Sequence, residues 1–393
     1  MGSAQDSTHV TFIHTSDFQW GMTRWFLDGE DSDAQSRFED SRLRAVEKLG
    51  NLAREHGAEF IVVAGDVFDA NALSERTMGR ALEALGSLPV PVFLLPGNHD
   101  PLLPGAALEH AAQLSNVTVL ADSTPVEARP GVEIVGAPLL ARYANEDLAA
   151  RALAQLEPTD SVRILVAHGQ AEGRGEDDPA LISLTGLEQA LANGVVDYVA
   201  LGDTHSAQPV GASGRIWFSG SPETTDFHDR RDNVAGNEVN SGKALVVSVD
   251  KRAATDVDVD VNEHAVGEWT FDALHWEVSD GEDVRRVIAE LEAYPHKSRT
   301  AVKYSLAGTL GLEATRELEE GLAAQRNVFG ALYERERLMD LHLEPNDEEL
   351  ANLPLAGYAR DAMSALLGAA ETSDPQTARD AVNLLFRLSK EPK

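Results

Sequence analysis

The sequence predicts a layered α/β core, a smaller α+β unit after it, and a helical tail. Three observations carry this expectation. Short apolar runs alternate with amphipathic stretches through the first half of the chain. Five of these runs are followed at once by an acidic or histidine-bearing segment. The pattern then changes near Asp250. At 393 residues the chain exceeds one average domain and can bury more than one core.

The elements follow in order. Val10-Thr11-Phe12-Ile13-His14 is β-branched and aromatic, as a strand should be. From about Asp33 to His56, apolar residues recur at Phe38, Leu43, Val46, Leu49 and Ala53, a helical stripe that Gly57 can stop. Phe60 to Ala64 is unbroken apolar sequence, as in a strand covered on both faces. Leu73–Leu85 reads as a helix, Pro89–Leu95 leads into a strand, and Ala106–Leu114 reads as a further helix. Val162–Ala167, Val195–Leu201, Ile216–Phe218 and Ala244–Val249 are the remaining strands of the core. Gly173–Pro179 reads as an acidic turn, and His228–Gly242, rich in Gly, Asn and Asp, as a mobile connection.

Past Asp250, Val257, Val259 and Val261 alternate with aspartates, the signature of a solvent-facing strand. Trp269–Val278 and Ala301–Leu306 read as strands, and Val284–Leu291 and Leu312–Leu332 as helices. Two short helices are expected beyond Pro345, near Tyr358–Leu367 and Ala378–Leu388. The expected division is a disordered stretch at 1–9, a core domain at 10–250, a second unit at 256–345 and a helical segment at 346–393.

Composition narrows the chemistry. There is no cysteine, so disulfides, thiolate metal sites and cysteine nucleophiles are excluded. A metal would sit among oxygen and imidazole ligands, which suits Mn, Mg, Fe or Zn. The formal charge is −32, so a polyanion would be repelled unless cations or a local basic patch reverse the field. No apolar run approaches the ~20 residues of a membrane helix. The polar N-terminus lacks a signal-peptide core, and a cytoplasmic location is expected.

The strand-end residues form a set. Asp66 follows Gly65 on a tight turn and can bridge two cations. Asp17 and Gln19 are two apart, as are Asp203 and His205, so each pair can face one place. Asn98 offers an amide oxygen and His168 an imidazole. His99, with Asp100 beside it, is placed to hand a proton to a leaving oxygen. His14, at a strand end, is expected to make a structural hydrogen bond. Trp20 and Trp25 are expected to pack rather than stack on a base, Asp69 to shape the turn after Asp66, and Arg230 with Arg231 to form a surface pair.

In this order the motifs resemble the calcineurin-like metallophosphoesterase superfamily. Gly97-Asn98-His99-Asp100 is a specific signal of the superfamily, and His14-Thr15-Ser16-Asp17, Gly65-Asp66-Val67-Phe68-Asp69, Asp197-Tyr198-Val199-Ala200-Leu201-Gly202 and Phe218-Ser219-Gly220-Ser221-Pro222 are similar to its DNA-repair nuclease branch, the SbcD-like nucleases. The likeness covers about 10–250, thins over 260–345, which corresponds to that branch's capping domain, and is faint in the tail.

The resemblance implies a metallophosphoesterase sandwich that binds two divalent ions, with Mn favoured over Mg, Fe or Zn. One ion would take Asp17, Gln19, Asp66 and His205, and the other Asp66, Asn98, His168 and Asp203. His99 would be the general acid and Asp100 would orient it. The implied substrate is a DNA or nucleotide phosphodiester. The implied partners are a second copy, meeting along about 75–88 and 105–116, and an SMC-like ATPase. Two residues depart from the family pattern. Gln19 and Asp203 stand where histidines are usual, which hardens the ligand set and adds one negative charge. The alternatives are a phosphatase or phosphodiesterase for small nucleotides, and a weakly active regulatory subunit.

Overall fold

The computed structural model describes residues 7–29, 33–172, 178–231, 237–343 and 357–370, together with 377, 378, 381, 382, 384 and 385. Contacts divide the chain into one unit of Met1–His228 with Ala235–Thr270, and another of Asp229–Val234 with Phe271–Lys393.

The first unit holds strands β1 (Thr8–Thr15), β2 (Ile61–Val63), β3 (Val92–Leu94), β4 (Val117–Val119), β5 (Val126–Arg129), β6 (Val132–Ala137), β7 (Val162–His168), β8 (Tyr198–Gly202), β9 (Gln208–Val210) and β10 (Ile216–Phe218). The two-residue β11 (His228–Asp229) follows at the division, then β12 (Lys243–Ala253) and β13 (Asp256–Ala265). Its helices are α1 (Ala34–His56), α2 (Glu75–Gly86), α3 (Ala107–Ala111), α4 (Leu148–Leu153) and α5 (Leu184–Ala192). The strands form two six-stranded sheets, ordered β13-β12-β1-β2-β3-β4 and β5-β6-β7-β8-β10-β9.

Strand periodicity explains the layering. Val10, Phe12, Phe60, Val62, Phe93, Leu245 and Val247 of the first sheet meet Val132, Ile134, Ile164, Val166, Tyr198 and Ala200 of the second in one core. Phe12 stacks on Phe60 at 5.2 Å and meets Tyr198 edge-on at 5.6 Å. The alternate residues point outward. Ile13, Ile61, Val63, Val92, Leu94 and Val246 pack under α1, α2 and α3, and Leu165, Ala167, Val199 and Leu201 under α4 and α5. The result is helix, sheet, sheet, helix, with the inner strands covered on both faces, whereas β13 exposes alternate residues. Cover on both faces is why the inner strands read as unbroken apolar runs. Each fully buried Ile, Leu or Phe contributes about 1.5–3 kcal/mol.

Local signals set the helix ends. Gly57 closes α1 in the left-handed region at φ 64°. Ser74 caps α2, its hydroxyl accepting from Thr77 N at 3.1 Å.

The second unit contains β14 (Thr270–Val278), α6 (Gly281–Glu292), β15 (Thr300–Leu310), α7 (Leu312–Arg326), β16 (Ala331–Glu334), β17 (Asp340–Leu343) and α8 (Tyr358–Ala370). Its sheet runs β11-β14-β15-β16, with β17 also on β15. Trp276, Val302, Tyr304 and Leu306 of the sheet pack with Val284, Val287 and Leu291 of α6 and Leu318 and Leu322 of α7.

The structure corrects several expectations. Thr8 and His9, within the 1–9 stretch expected to be disordered, belong to β1, and residues 1–6 lie outside the described residues. β13 pairs with β12 along its length, so the core domain runs to Thr270 and not 250. Alternation identified the strand but not its neighbour. The helix expected over Leu312–Leu332 ends at Arg326, and Ala331–Glu334 becomes a strand parallel to β15. The acidic turn at 173–179 and the last expected helix lie largely outside the described residues.

Candidate metal centre

In the first unit, β1, β2, β3, β7 and β8 all run in one direction or end at one rim, and their carboxyl ends carry the expected residues. Asp17 and Gln19 follow β1, Asp66 follows β2, Asn98 and His99 follow β3, His168 ends β7, and Asp203 with His205 follows β8. Close approach of these ends demands small residues. A Cβ on Gly97 would collide with Asp66 Oδ1, and one on Gly202 with the Ala64 carbonyl.

Backbone strain marks the same place. Among the described residues, the non-glycine positions with positive φ are Asp17 (55°), Gln19 (44°), Asp66 (53°) and Asp203 (93°). Each costs on the order of 1–3 kcal/mol and persists only where surrounding packing over-determines it. All four belong to the strand-end set, so the strain turns their side chains to the rim.

Side-chain geometry gathers the set into two linked groups. His168 Nε2 lies 2.8 Å from Asn98 Oδ1, 3.5 Å from Asp66 Oδ2 and 3.9 Å from Asp203 Oδ1. His205 Nε2 lies 3.7 Å from Asp17 Oδ1 and 3.3 Å from the Gln19 amide nitrogen. Asp17, Asp66 and His168 each offer one ligand atom within 4.8 Å of the others, which joins the groups. Asp203 N also donates to Asp17 Oδ2 at 3.2 Å.

The ring nitrogens are sorted by their outer partners. His168 Nδ1 donates to the Ala64 carbonyl at 2.7 Å, which leaves Nε2 for the centre. His205 Nδ1 faces the Thr225 hydroxyl and Glu238 Oε2, the latter at 3.4 Å, again leaving Nε2. His99 Nδ1 donates to the Asp69 carbonyl at 2.9 Å, and its Nε2 lies 3.9 Å from Asp66 Oδ2.

The donor set fits cations. Asp17 Oδ1 and Gln19 Oε1 are buried and have no hydrogen-bond partner among the described residues. Unsatisfied buried oxygens are costly, and a metal ion satisfies both. Electrostatics agrees. Burial pushes the Asp17 carboxyl up, with His205 and His168 opposing it. Burial also works against the Asp66 carboxylate, but His168 and the His99 amide outweigh it and hold its pKa down at about 2. Burial lowers His168, yet Asp66, Asp17 and Asp203 together raise it well above the ordinary imidazole value. His205 is raised against its burial by Glu238, Asp17 and Asp203. A rim that holds protons on its imidazoles is one where cations are wanted.

Some expected roles change. Asp100 does not orient the His99 ring. Its Oδ1 accepts from Gly97 N at 2.8 Å and its Oδ2 from Phe68 N at 3.0 Å, so it fixes the loop that carries His99. Neighbouring side chains on a non-helical segment project apart, and the ring falls to Asp69 instead. Burial and the Asp66 charge push the Asp100 carboxyl up to about 7. His14 is fully buried, with Nδ1 3.0 Å from the Tyr198 hydroxyl, and desolvation lowers its pKa to about 3, so it is a neutral structural group. Trp20 packs between Phe18 and Phe68, whereas Trp25 is 75% exposed. Arg230 pairs with Asp272 and Arg231 with Asp229.

Two residues escaped the sequence reading. Glu238 lies in the stretch expected to be a mobile connection, yet it is buried and accepts from Thr225 N at 2.8 Å while facing His205. Its polar, glycine-rich surroundings give no sign of this. Arg42 is buried on the apolar stripe of α1, and its Nε and Nη2 donate to Phe18 O at 3.1 and 2.7 Å. That carbonyl lies between Asp17 and Gln19. A charged residue four places after Phe38 on a buried stripe was the available signal.

Comparison with known proteins adds to the geometry. The chain is 26% identical over 214 residues to the uncharacterized metallophosphoesterase YhaO of Bacillus subtilis, covering 52% of this chain and 51% of that protein. It is 32% identical over 94 residues to the DNA double-strand break repair protein Mre11 of Archaeoglobus fulgidus, covering 23% of this chain and 19% of that one. The chain therefore spans about half the length of one curated relative and less of the other. Among solved structures, TT1561 of Thermus thermophilus matches 64% of this chain and 99% of its own at 13% identity and TM-score 0.39. A dimetal phosphatase from Danio rerio matches 64% and 98% at 14% identity and TM-score 0.38. The profile of the calcineurin-like phosphoesterases matches residues 10–234, which run from β1 through every strand end that feeds the centre. With more than half of its length matched in this way, the chain belongs to the calcineurin-like phosphoesterase family.

Proposed function

We propose that this chain is a metal-dependent phosphodiesterase that hydrolyses DNA, acting from ends. The observation that carries the reading is the gathering of Asp66, Asn98, His168, Asp203, Asp17, Gln19 and His205 around one rim, with the His99 ring turned toward it. The match to a relative named for double-strand break repair supports the choice of DNA.

Asp66, central to both groups, would be shared by two cations. Asp17, Gln19 and His205 would complete one set, and Asn98, His168 and Asp203 the other. When bound, such a pair acidifies water and neutralises charge on the phosphoryl oxygens. The protein's own contribution is positional. Ala64 O and the Glu238–Thr225 pair fix which nitrogen His168 and His205 present. Because the Asp69 carbonyl can only accept, His99 keeps a proton on Nδ1 and exchanges its other proton through Nε2. That proton would go to the leaving oxygen. Two partners accompany this reading: a second copy along about 75–88 and 105–116, and an SMC-like ATPase.

The test is cleavage of linear duplex DNA with Mn²⁺ against the same mixture with EDTA. Loss of product with EDTA and with His99→Ala, the variant keeping its bound metal, is expected. Full activity of His99→Ala would remove the general-acid assignment. The net charge of −32 favours a second reading, hydrolysis of a small nucleotide that needs no extended basic groove. Turnover of bis-p-nitrophenyl phosphate with no cleavage of DNA would select it.

A further inference from the structure

We propose that Arg42 is a positioning residue for the cation held by Asp17, Gln19 and His205: its guanidinium pins the Phe18 carbonyl and so keeps Asp17 and Gln19 turned to the rim. The inference deepens the reading above and rests on Asp17 and Gln19 being ligands.

Asp17 and Gln19 flank Phe18, and both adopt the left-handed conformation, at φ 55° and 44°. The peptide between Phe18 and Gln19 is held at both edges. Its N–H, on Gln19, donates to the Asp66 carbonyl at 2.9 Å. Its carbonyl, on Phe18, accepts from Arg42 Nε at 3.1 Å and Nη2 at 2.7 Å. Left-handed backbone is strained for a residue that carries a Cβ. Turning this one peptide over would take Gln19 out of the left-handed region and relieve the strain. The turned peptide would aim its oxygen at the Asp66 carbonyl and its N–H at the guanidinium. Arg42 can only donate, so it opposes that turn. Without it, the Gln19–Asp66 bond alone holds this peptide.

A residue that merely filled this face of α1 would be apolar. Arg42 is 2% exposed and shares the buried face with Phe38, Ala45, Val46 and Leu49. Its guanidinium lies 5.3 Å over the Phe38 ring. An apolar side chain would fill the space without burying a charge. Burial lowers the Arg42 pKa to about 10, with Glu223 and Glu238 opposing, so the group stays charged near neutral pH. What the charge supplies here is two convergent donors on the one carbonyl between two ligands. Glu238, which favours that charge, also faces His205, so both arms of the same cation site lie in its field. The hydrogen bonds of Arg42 go to Phe18 and not to Asn98, His168 or Asp203. Its loss should therefore be felt at one cation and not at both.

The test is calorimetric titration of the full-length, EDTA-stripped protein with Mn²⁺, with thermal melting of the metal-free chain read alongside. The parent should show two sites. Arg42→Met, which keeps the bulk and removes the donors, should weaken one of them about 10–100-fold and leave the other unchanged. Arg42→Lys, which restores the charge and a single donor group, should recover part of that loss. A filler role gives a different pattern: a lower melting temperature with both sites at parental strength, or both weakened alike. Either result in Arg42→Met overturns the proposal. Should Arg42→Met not fold, Arg42→Lys decides, a several-fold loss confined to one site supporting the proposal and two parental sites overturning it. A parent chain that binds fewer than two Mn²⁺ would defeat the paired centre itself, and this inference with it.

Discussion

The two groups of ligands at the rim are built differently. In the first group His168 ends β7 and Asp203 directly follows β8, and the side chain of His168 is fully buried and anchored by a backbone carbonyl beside β2. In the second group Asp17 is fully buried just past β1, while Gln19 and His205 lie further along their loops. The His205 side chain is 27% exposed, and its anchor is the pair Thr225 and Glu238. A sheet-anchored imidazole needs no further organisation before it binds a cation. A loop-anchored one depends on side chains, here Thr225 and Glu238, being correctly placed first. Each group includes one amide, Asn98 in the first and Gln19 in the second, and Gln19 stands where the family resemblance leads to a histidine. The difference predicts two cation sites of unequal strength, the sheet-built one being tighter.

The largest effect should come from the residue common to both groups. Asp66→Asn is expected to lower turnover by at least about 100-fold and to reduce bound metal at both sites, since even outer-shell changes cost about 10–100-fold. Elemental analysis of the purified variant checks it. Glu238→Gln should weaken only the His205 group, by about 10–100-fold in metal affinity. Equal loss at both sites would erase the contrast between sheet-built and loop-built halves.

Acid should empty both sites. His168 and His205 are raised above the ordinary imidazole value of 6.5, so near neutral pH each must shed a proton to bind a cation. Metal affinity is therefore expected to rise with pH through that range, with protons released on binding. Calorimetry in two buffers of different ionisation enthalpy reads the release directly. In the metal-free chain the sign reverses. The imidazolium–carboxylate pairs stabilise fully below 6.5 and that contribution is lost as pH rises past the raised values. The smallest change, Gln19→His, should tighten the loop-built site about tenfold and leave the other unchanged. Unaltered metal content in that variant would show that ligand softness does not set the difference.

The inner layers were legible because burial on both faces leaves continuous apolar runs, as at Phe60–Ala64, and because Gly57 ends α1. The strands Val117–Val119, Val126–Arg129 and Val132–Ala137 were not, since they are short or interrupted by charge, and β4 and β5 lie at sheet edges. The ligands were legible because each follows an apolar run in sequence, so local pattern alone aligns them with strand ends. Asp100 was misread because adjacency in sequence does not bring side chains together. Glu238 was invisible for the converse reason, being 33 residues beyond His205 in a polar stretch and joined to it only by the fold.

The measurement that bears most directly on the centre is anomalous X-ray scattering from crystals of the purified protein, read with elemental analysis. Two divalent cations per chain, both within bonding distance of Asp66 and divided between the His168 and His205 groups, are the expected result. A chain that binds no divalent ion at this rim, or holds its ions away from Asp66, would contradict the account.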